Sequence, residues 1–128
     1  MNQYEIIEKA YAYFNERNID AVLGLMHVNV EWPNGWEGGY VFGKDAVKNY
    51  WLRQWKELNP AVFPVKVVLL PGDSVAVDVH QVVKDMKGDL IMDGMIRHNY
   101  FFEKGLIKRM EIEALEIENP EDSIGNEK

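Results

Sequence analysis

The second half of the chain consists of four long β-type runs with a turn signal between each pair. These runs span residues 62–70, 74–85, 90–103 and 106–117. The segments between them, Pro71-Gly72-Asp73, Lys87-Gly88-Asp89 and Glu103-Lys104-Gly105, combine residues that favour tight turns. Strands joined by short turns pair antiparallel, so the sequence predicts a meander of four long strands.

Helical patterns precede this meander. Residues 2–17 repeat apolar side chains at three- and four-residue spacing, which is typical of one buried helix face. Asn18 is placed to cap a short second helix, and Gly43 and Asp45 open a third that ends at Asn59-Pro60. Between the second and third helices, residues 28–32 and 40–42 read as two short strands. The whole pattern predicts an α+β domain whose helices pack on one face of a curved sheet.

Length and composition predict one globular domain. The chain has 128 residues, of which 47% are hydrophobic, and we assign residues 1–118 to the domain. Residues 119–128 are polar apart from Ile124, so we expect a flexible acidic tail there. No apolar run approaches the roughly 20 residues that cross a bilayer, and no signal-peptide pattern is visible.

Charge and cysteine content limit the partners that we expect. The net charge is −7, which argues against nucleic acid because phosphate neutralisation needs clustered Lys and Arg. The three His residues show no metal-ligand spacing, so we predict no metal site. There is no Cys, which fits a reducing compartment, and we predict a cytoplasmic protein that acts on a small molecule away from membranes.

The order of elements resembles a known superfamily. Five stretches carry the resemblance: FNERNIDAVLGLM (14–26), VEWP (30–33), GKDAVKNYW (43–51), GDSVAV (72–77) and NYFFEKGLIKRME (99–111). With them the chain resembles the nuclear transport factor 2-like superfamily, in the branch of SnoaL-like polyketide cyclases and ketosteroid isomerase. The resemblance implies a cone-shaped curved antiparallel sheet wrapped around three N-terminal helices, a pocket inside it, and a homodimer through the outer face of the sheet.

The resemblance also implies cofactor-free acid/base chemistry next to a carbonyl, but the usual catalytic residues are missing. Ketosteroid isomerase uses a Tyr on the first helix, an Asp before a strand-ending Pro and a carboxylic acid on a later strand. These positions fall on Ala10 (with Tyr11 and Tyr13 nearby), Trp32 and His98. Because Trp32 cannot accept a proton, steroid isomerisation by the family's own mechanism is disfavoured.

Strand alternation leaves two registers open for the polar residues. Asp78 and His80 share one face of their strand, and the resemblance turns that face inward, which leaves Val75, Val77, Val79 and Gln81 for a dimer surface or a second core. A two-residue loop at Lys87-Gly88 sets Asp78 against Arg97 as an ion pair. A three-residue loop sets it against His98 as an Asp–His dyad, which the resemblance favours.

Two sets of site residues follow. The predicted catalytic residues are His98 and His80 as acid or base, with Asp78 as the group that orients the imidazole. The predicted ligand contacts are Trp32, Tyr11, Trp36, Tyr100, Met110 and Ile112. We expect an isomerase, cyclase or dehydratase acting on a small cyclic apolar substrate. A non-catalytic ligand-binding module and a protein-interaction domain are the alternatives, and the polar residues then only satisfy one another or bind water.

Overall fold

Three helices and a six-stranded curved sheet make up the computed structural model, which describes residues 1–115. The helices are α1 (Gln3–Asn15), α2 (Ile19–Leu23) and α3 (Lys44–Glu57). The strands are β1 (Met26–Pro33), β2 (Tyr40–Phe42), β3 (Leu58–Leu70), β4 (Ser74–Asp85), β5 (Leu90–Glu103) and β6 (Leu106–Ala114). The predicted α+β class is confirmed. The expected acidic tail at 119–128 lies outside the described residues.

Local signals in the sequence fix the helix starts. The side chain of Asn2 accepts a hydrogen bond from the Glu5 N–H at 2.8 Å, and the Glu5 carboxylate accepts one from the Asn2 N–H, which makes a capping box at α1. Asn18 caps α2 through the Ala21 N–H, as predicted. Gly43 directly precedes α3 with a φ of 88°, a left-handed conformation that glycine adopts without strain.

The strand order across the sheet is β2-β1-β6-β5-β4-β3. Strands β3 to β6 form the predicted antiparallel meander, and β3 begins directly after α3, four residues earlier than expected. One pair differs from the predicted antiparallel pattern, because β1 lies parallel to β6. The long connection between these two strands, which includes α3 and the meander, permits this parallel pairing.

The inner face of the sheet, which packs on the helices, carries the valines of β4. Val75, Val77 and Val79 are fully buried in one core with residues of all three helices. Alternation along β4 therefore puts Asp78 and His80 on the outer face, and the expectation that they face inward is wrong. The physical reason is that the apolar alternate face of a strand gains more from burial than the face with ionisable groups.

The register of β4 against β5 decides between the two predicted pairings. Asp78 lies opposite Arg97, and its Oδ1 accepts a hydrogen bond from Nε of Arg97 at 2.7 Å. His98 lies opposite Val77 instead. The predicted Asp78–His98 dyad is therefore wrong, and the alternative ion pair is confirmed. In the turn the Asp85 N–H donates to the Asp89 carbonyl, and a register shift between Val83 and Lys84 then gives the pairing that continues along the two strands.

None of the helices within residues 1–115 is both long and apolar enough to cross a membrane.

Candidate functional site

A cavity of about 410 Å³ opens between the helices and the inner face of the sheet. Its walls are mainly apolar and aromatic. The six residues predicted to contact a ligand all line this cavity: Tyr11, Trp32, Trp36, Tyr100, Met110 and Ile112. Of the three residues predicted to be catalytic, only His98 lines it.

Trp32 forms part of the aromatic wall. Its ring packs edge-on against Trp51, with centroids 5.6 Å apart and an interplanar angle of 88°, and lies at a tilt 6.3 Å from Tyr100. Trp32 is the second-last residue of β1, directly before Pro33, and the strand places its indole in the cavity wall. Trp32 thus contributes apolar packing surface to the cavity and no proton acceptor.

Three buried side chains of the cavity lining form a chain of hydrogen bonds. The Tyr100 hydroxyl donates to the Tyr11 hydroxyl at 2.9 Å, and the Tyr11 hydroxyl lies 2.7 Å from Nδ1 of His98. Tyr11 comes from α1, whereas His98 and Tyr100 are two residues apart on the inner face of β5. The Tyr11 ring also stacks on the imidazole at an interplanar angle of 10°. Helix and sheet therefore hold the imidazole from both sides.

We assign the tautomer of His98 from the order of donors in this chain. With Tyr100 donating to the Tyr11 oxygen, the Tyr11 proton is directed at Nδ1, and both hydroxyl protons of the chain then have an acceptor. Nδ1 is an acceptor in this arrangement, and the imidazole proton sits on Nε2. Nε2 forms no hydrogen bond with a described residue and is not among the fully buried atoms without a partner. It is a donor that the cavity offers to a ligand.

Burial keeps every ionisable group in the cavity neutral. It lowers the pKa of His98 from 6.5 to about 4. It raises the pKa of Tyr11 and Tyr100, and also that of Tyr50, which lines the cavity nearby. No Asp, Glu, Lys or Arg of the described chain lines the cavity. The site can therefore donate hydrogen bonds and exclude water, but it has no fixed charge.

The other two predicted catalytic residues lie on the outer face. Asp78 pairs with Arg97, which also reaches Glu113 at 3.4 Å. His80 contacts Asp93 through Nε2. Neither side chain can meet His98 across the sheet, so the structure does not bring the predicted catalytic set together.

The two carboxylates near the loop after β1 are also held away from the cavity. Glu31 points outward and pairs with Lys108 and Arg109, at 2.8 and 2.7 Å, and hydrogen bonds from these two residues lower its pKa. Glu37 accepts hydrogen bonds from Asn34 and Arg53, both at 2.9 Å. The cavity thus gains no base from either residue.

Asn34 organises the entrance loop, residues 34–39, which carries Trp36 to the cavity. Its side-chain oxygen accepts hydrogen bonds from the backbone N–H groups of Trp36 and Glu37, at 3.1 and 2.7 Å. Asn34 is itself only 7% exposed. One buried amide therefore fixes the loop that borders the cavity.

The sequence analysis did not single out Gln54 and Gln81, which also line the cavity. For both residues, the spacing from predicted core residues in the sequence indicated a position on the cavity side. Gln54 lies three residues after Trp51 on α3, and Gln81 continues the alternation of Val75, Val77 and Val79 on β4. Within residues 1–115, no group of three or more His, Asp or Glu side chains is placed to hold a metal ion.

A model of the SnoaL-like domain family matches residues 7–110 of the chain. No curated protein matches it. The crystal structure of TerC co-crystallised with polyporic acid is similar, with 27% sequence identity, coverage of 88% of this chain and 90% of TerC, and a TM-score of 0.77.

Two further solved structures have the same fold. An NTF2-like protein of unknown function from Burkholderia pseudomallei shares 19% identity, with coverage of 90% of this chain and 92% of that chain and a TM-score of 0.79. A polyketide cyclase-like protein from Pseudomonas putida shares 16% identity, with coverage of 98% and 97% and a TM-score of 0.72. At these identities the similarity concerns the fold alone.

Proposed function

The chain belongs to the SnoaL-like domain family, and from this membership we propose that it binds a small, neutral, largely apolar cyclic molecule in its cavity. The ligand places a hydrogen-bond acceptor, such as a carbonyl oxygen, against Nε2 of His98. The observation that carries this proposal is the chain of hydrogen bonds from Tyr100 through Tyr11 to His98 inside an uncharged cavity.

The absence of charge from the described lining argues for a neutral ligand. An ion in an apolar cavity without a counter-charge loses several kcal/mol of hydration energy. A neutral ring system loses little, and it gains contact with Trp32, Trp36 and Trp51. The proposed ligand is therefore apolar over most of its surface, with an acceptor oxygen at its buried end.

As a second function we propose cofactor-free catalysis of the isomerase, cyclase or dehydratase type. The arrangement that favours it is a neutral imidazole whose N–H faces the cavity, since such a donor stabilises the oxyanion that forms when a carbon next to a carbonyl loses a proton. In this proposal His98 is an electrophile rather than the base expected from the sequence. The proton passes to water or to a basic group of the substrate, because the described lining has no carboxylate.

Binding is tested with 4-acetylbiphenyl, a neutral aromatic ketone. We expect saturable quenching of tryptophan fluorescence by 4-acetylbiphenyl, and an affinity about fivefold or more lower in His98→Phe. Calorimetry with the same ketone excludes optical artefacts. If the ketone fails to bind in both measurements, the proposal is wrong.

An assay for turnover distinguishes ligand binding alone from catalysis. Candidate cyclic ketones incubated with the wild-type protein in D₂O are analysed by mass spectrometry. Deuterium incorporation next to the carbonyl that His98→Phe abolishes supports catalysis. Binding without incorporation or product supports the non-catalytic function.

We also propose that the chain forms a homodimer through the outer face of its sheet. Four apolar side chains lie exposed there, each with 38% or more of its surface accessible: Phe63, Val68, Leu70 and Phe101. Sedimentation velocity tests this proposal. We expect a dimer for the wild type and a monomer for Phe101→Glu, and a monomeric wild type at micromolar concentration would contradict it.

A further inference from the structure

The cavity contains a second polar region, formed by the side-chain amides of Gln54 and Gln81. Both residues line the cavity and are half-buried. Of the three glutamines in the chain, Gln3 is the one whose side-chain amide is hydrogen bonded to another described residue, at Asp73. The amides of Gln54 and Gln81 have no such bond within residues 1–115. They are therefore available to a molecule in the cavity.

The two glutamines lie at opposite ends of the first five residues of β3, 58–62. Gln81 pairs across the sheet with Val62, and Gln54 precedes Leu58, the first residue of β3, by four positions. Both Leu58 and Val62 line the cavity as well. Because Leu58 and Val62 are apolar, the two amides supply polar groups to this part of the lining.

This amide region is well separated from His98. Gln81 pairs with Gly94 on β5, and Gly94 precedes His98 by four residues on the same strand. At about 3.3 Å per residue, this offset corresponds to roughly 13 Å along the strand. Ile96, which lines the cavity between the two positions, is apolar. Polar groups thus lie at both of these positions of the lining, with an apolar residue between them on β5.

From this spacing we propose that the ligand is an elongated molecule of at least two rings with an oxygen at each end. One oxygen accepts a hydrogen bond from His98, and the other, a hydroxyl or a carbonyl, binds Gln54 and Gln81. An amide can both donate and accept, so the second region takes either oxygen type. This inference rests on the proposed function and adds the length and the polarity of the ligand to it.

The test compares two probes that differ by one hydroxyl, 4-acetylbiphenyl and 4-acetyl-4′-hydroxybiphenyl. The measured quantity is the ratio of their dissociation constants for each protein variant. We expect the wild type to bind the hydroxylated probe about three- to tenfold more tightly, which is the gain typical of one hydrogen bond. In Gln54→Met and in Gln81→Met, which remove the amide at nearly unchanged length, we expect the ratio to fall toward one.

Gln3→Met is the matched control, because Gln3 lies outside the cavity and its amide contacts Asp73. This variant should keep the wild-type ratio. A wild-type ratio near one, or an unchanged ratio in both cavity variants, overturns the inference while leaving the proposed function intact. Failure of both probes to bind the wild type overturns the two proposals together.

Discussion

The Tyr11 hydroxyl lies 2.7 Å from Nδ1 of His98, and this hydrogen bond connects the first helix of the chain to the fifth strand. With Tyr100 donating to Tyr11, we assign the imidazole the tautomer with its proton on Nε2. The relationship changes the chemistry expected of His98. A carboxylate partner would raise its basicity, whereas a phenol partner in a buried site keeps it neutral and leaves it as a donor.

The first prediction concerns the pH dependence of stability. Burial lowers the pKa of His98 to about 4 from 6.5, so between these pH values the unfolded chain binds more protons than the folded one. The free energy of unfolding therefore falls as the pH drops from 6.5 to 4, by up to about 3 kcal/mol from this group. Urea unfolding at pH 7, 5.5 and 4.5 measures this change in the free energy of unfolding.

Carboxylates also titrate in this range, so the informative quantity is the difference between the wild type and His98→Gln. The variant should lose less stability over the same pH range. Parallel stability curves for the two proteins would contradict a depressed pKa for His98.

The second prediction concerns Tyr11→Phe. The change removes the acceptor of the Tyr100 hydroxyl and the donor to His98 Nδ1, and both groups are buried. Leaving buried polar groups unpaired costs about 1–3 kcal/mol each, so we expect a loss of roughly 2–6 kcal/mol in the free energy of unfolding. Tyr4→Phe on the same helix is the control, because Tyr4 is 46% exposed, and its effect should stay within about 0.5 kcal/mol. Equal effects of the two changes would show that the buried hydrogen-bond chain adds no stability.

The third prediction concerns Asp78→Asn on the outer face. The side chains of Asp78 and Arg97 are 21% and 35% exposed, so solvent screens their ion pair. We expect a loss of about 1 kcal/mol or less in the free energy of unfolding and an affinity for 4-acetylbiphenyl within twofold of the wild type. Fluorescence titration with 4-acetylbiphenyl measures the affinity of this variant and of His98→Phe under the same conditions. A loss of affinity in Asp78→Asn as large as in His98→Phe would contradict the separation of the two residues.

The fourth prediction concerns Asn34→Ala in the entrance loop. The change removes two hydrogen bonds to backbone N–H groups and one to Glu37. We expect a loss of about 1–3 kcal/mol in the free energy of unfolding, and weaker binding of 4-acetylbiphenyl because Trp36 is no longer fixed. Asn29→Ala is the control, since Asn29 is exposed on β1. Indistinguishable unfolding curves for the two variants would contradict a role of Asn34 in holding the loop.

Much of the fold could be predicted from the sequence, because it depends on local signals. The Asn18 cap of α2 and the turn at Pro71-Gly72-Asp73 depend on neighbouring residues in the sequence and not on tertiary contacts. Strands β4 and β5 begin and end at the predicted residues. The six predicted ligand contacts also line the cavity, since large aromatic residues and alternating apolar residues collect on the inner face.

The polar part of the site could not be predicted in this way. A shift of one residue in register moves Asp78 from His98 to Arg97, and the choice depends on turn geometry between β4 and β5. The orientation of β4 depends on which of its two faces is buried in the core. The face with Val75, Val77 and Val79 is buried, and the face with Asp78 and His80 is not. The sequence by itself determined the elements, their order and an aromatic cavity. Only the tertiary structure brought Tyr11 onto His98, because that contact joins residues 87 positions apart and exists only once the helix packs on the sheet.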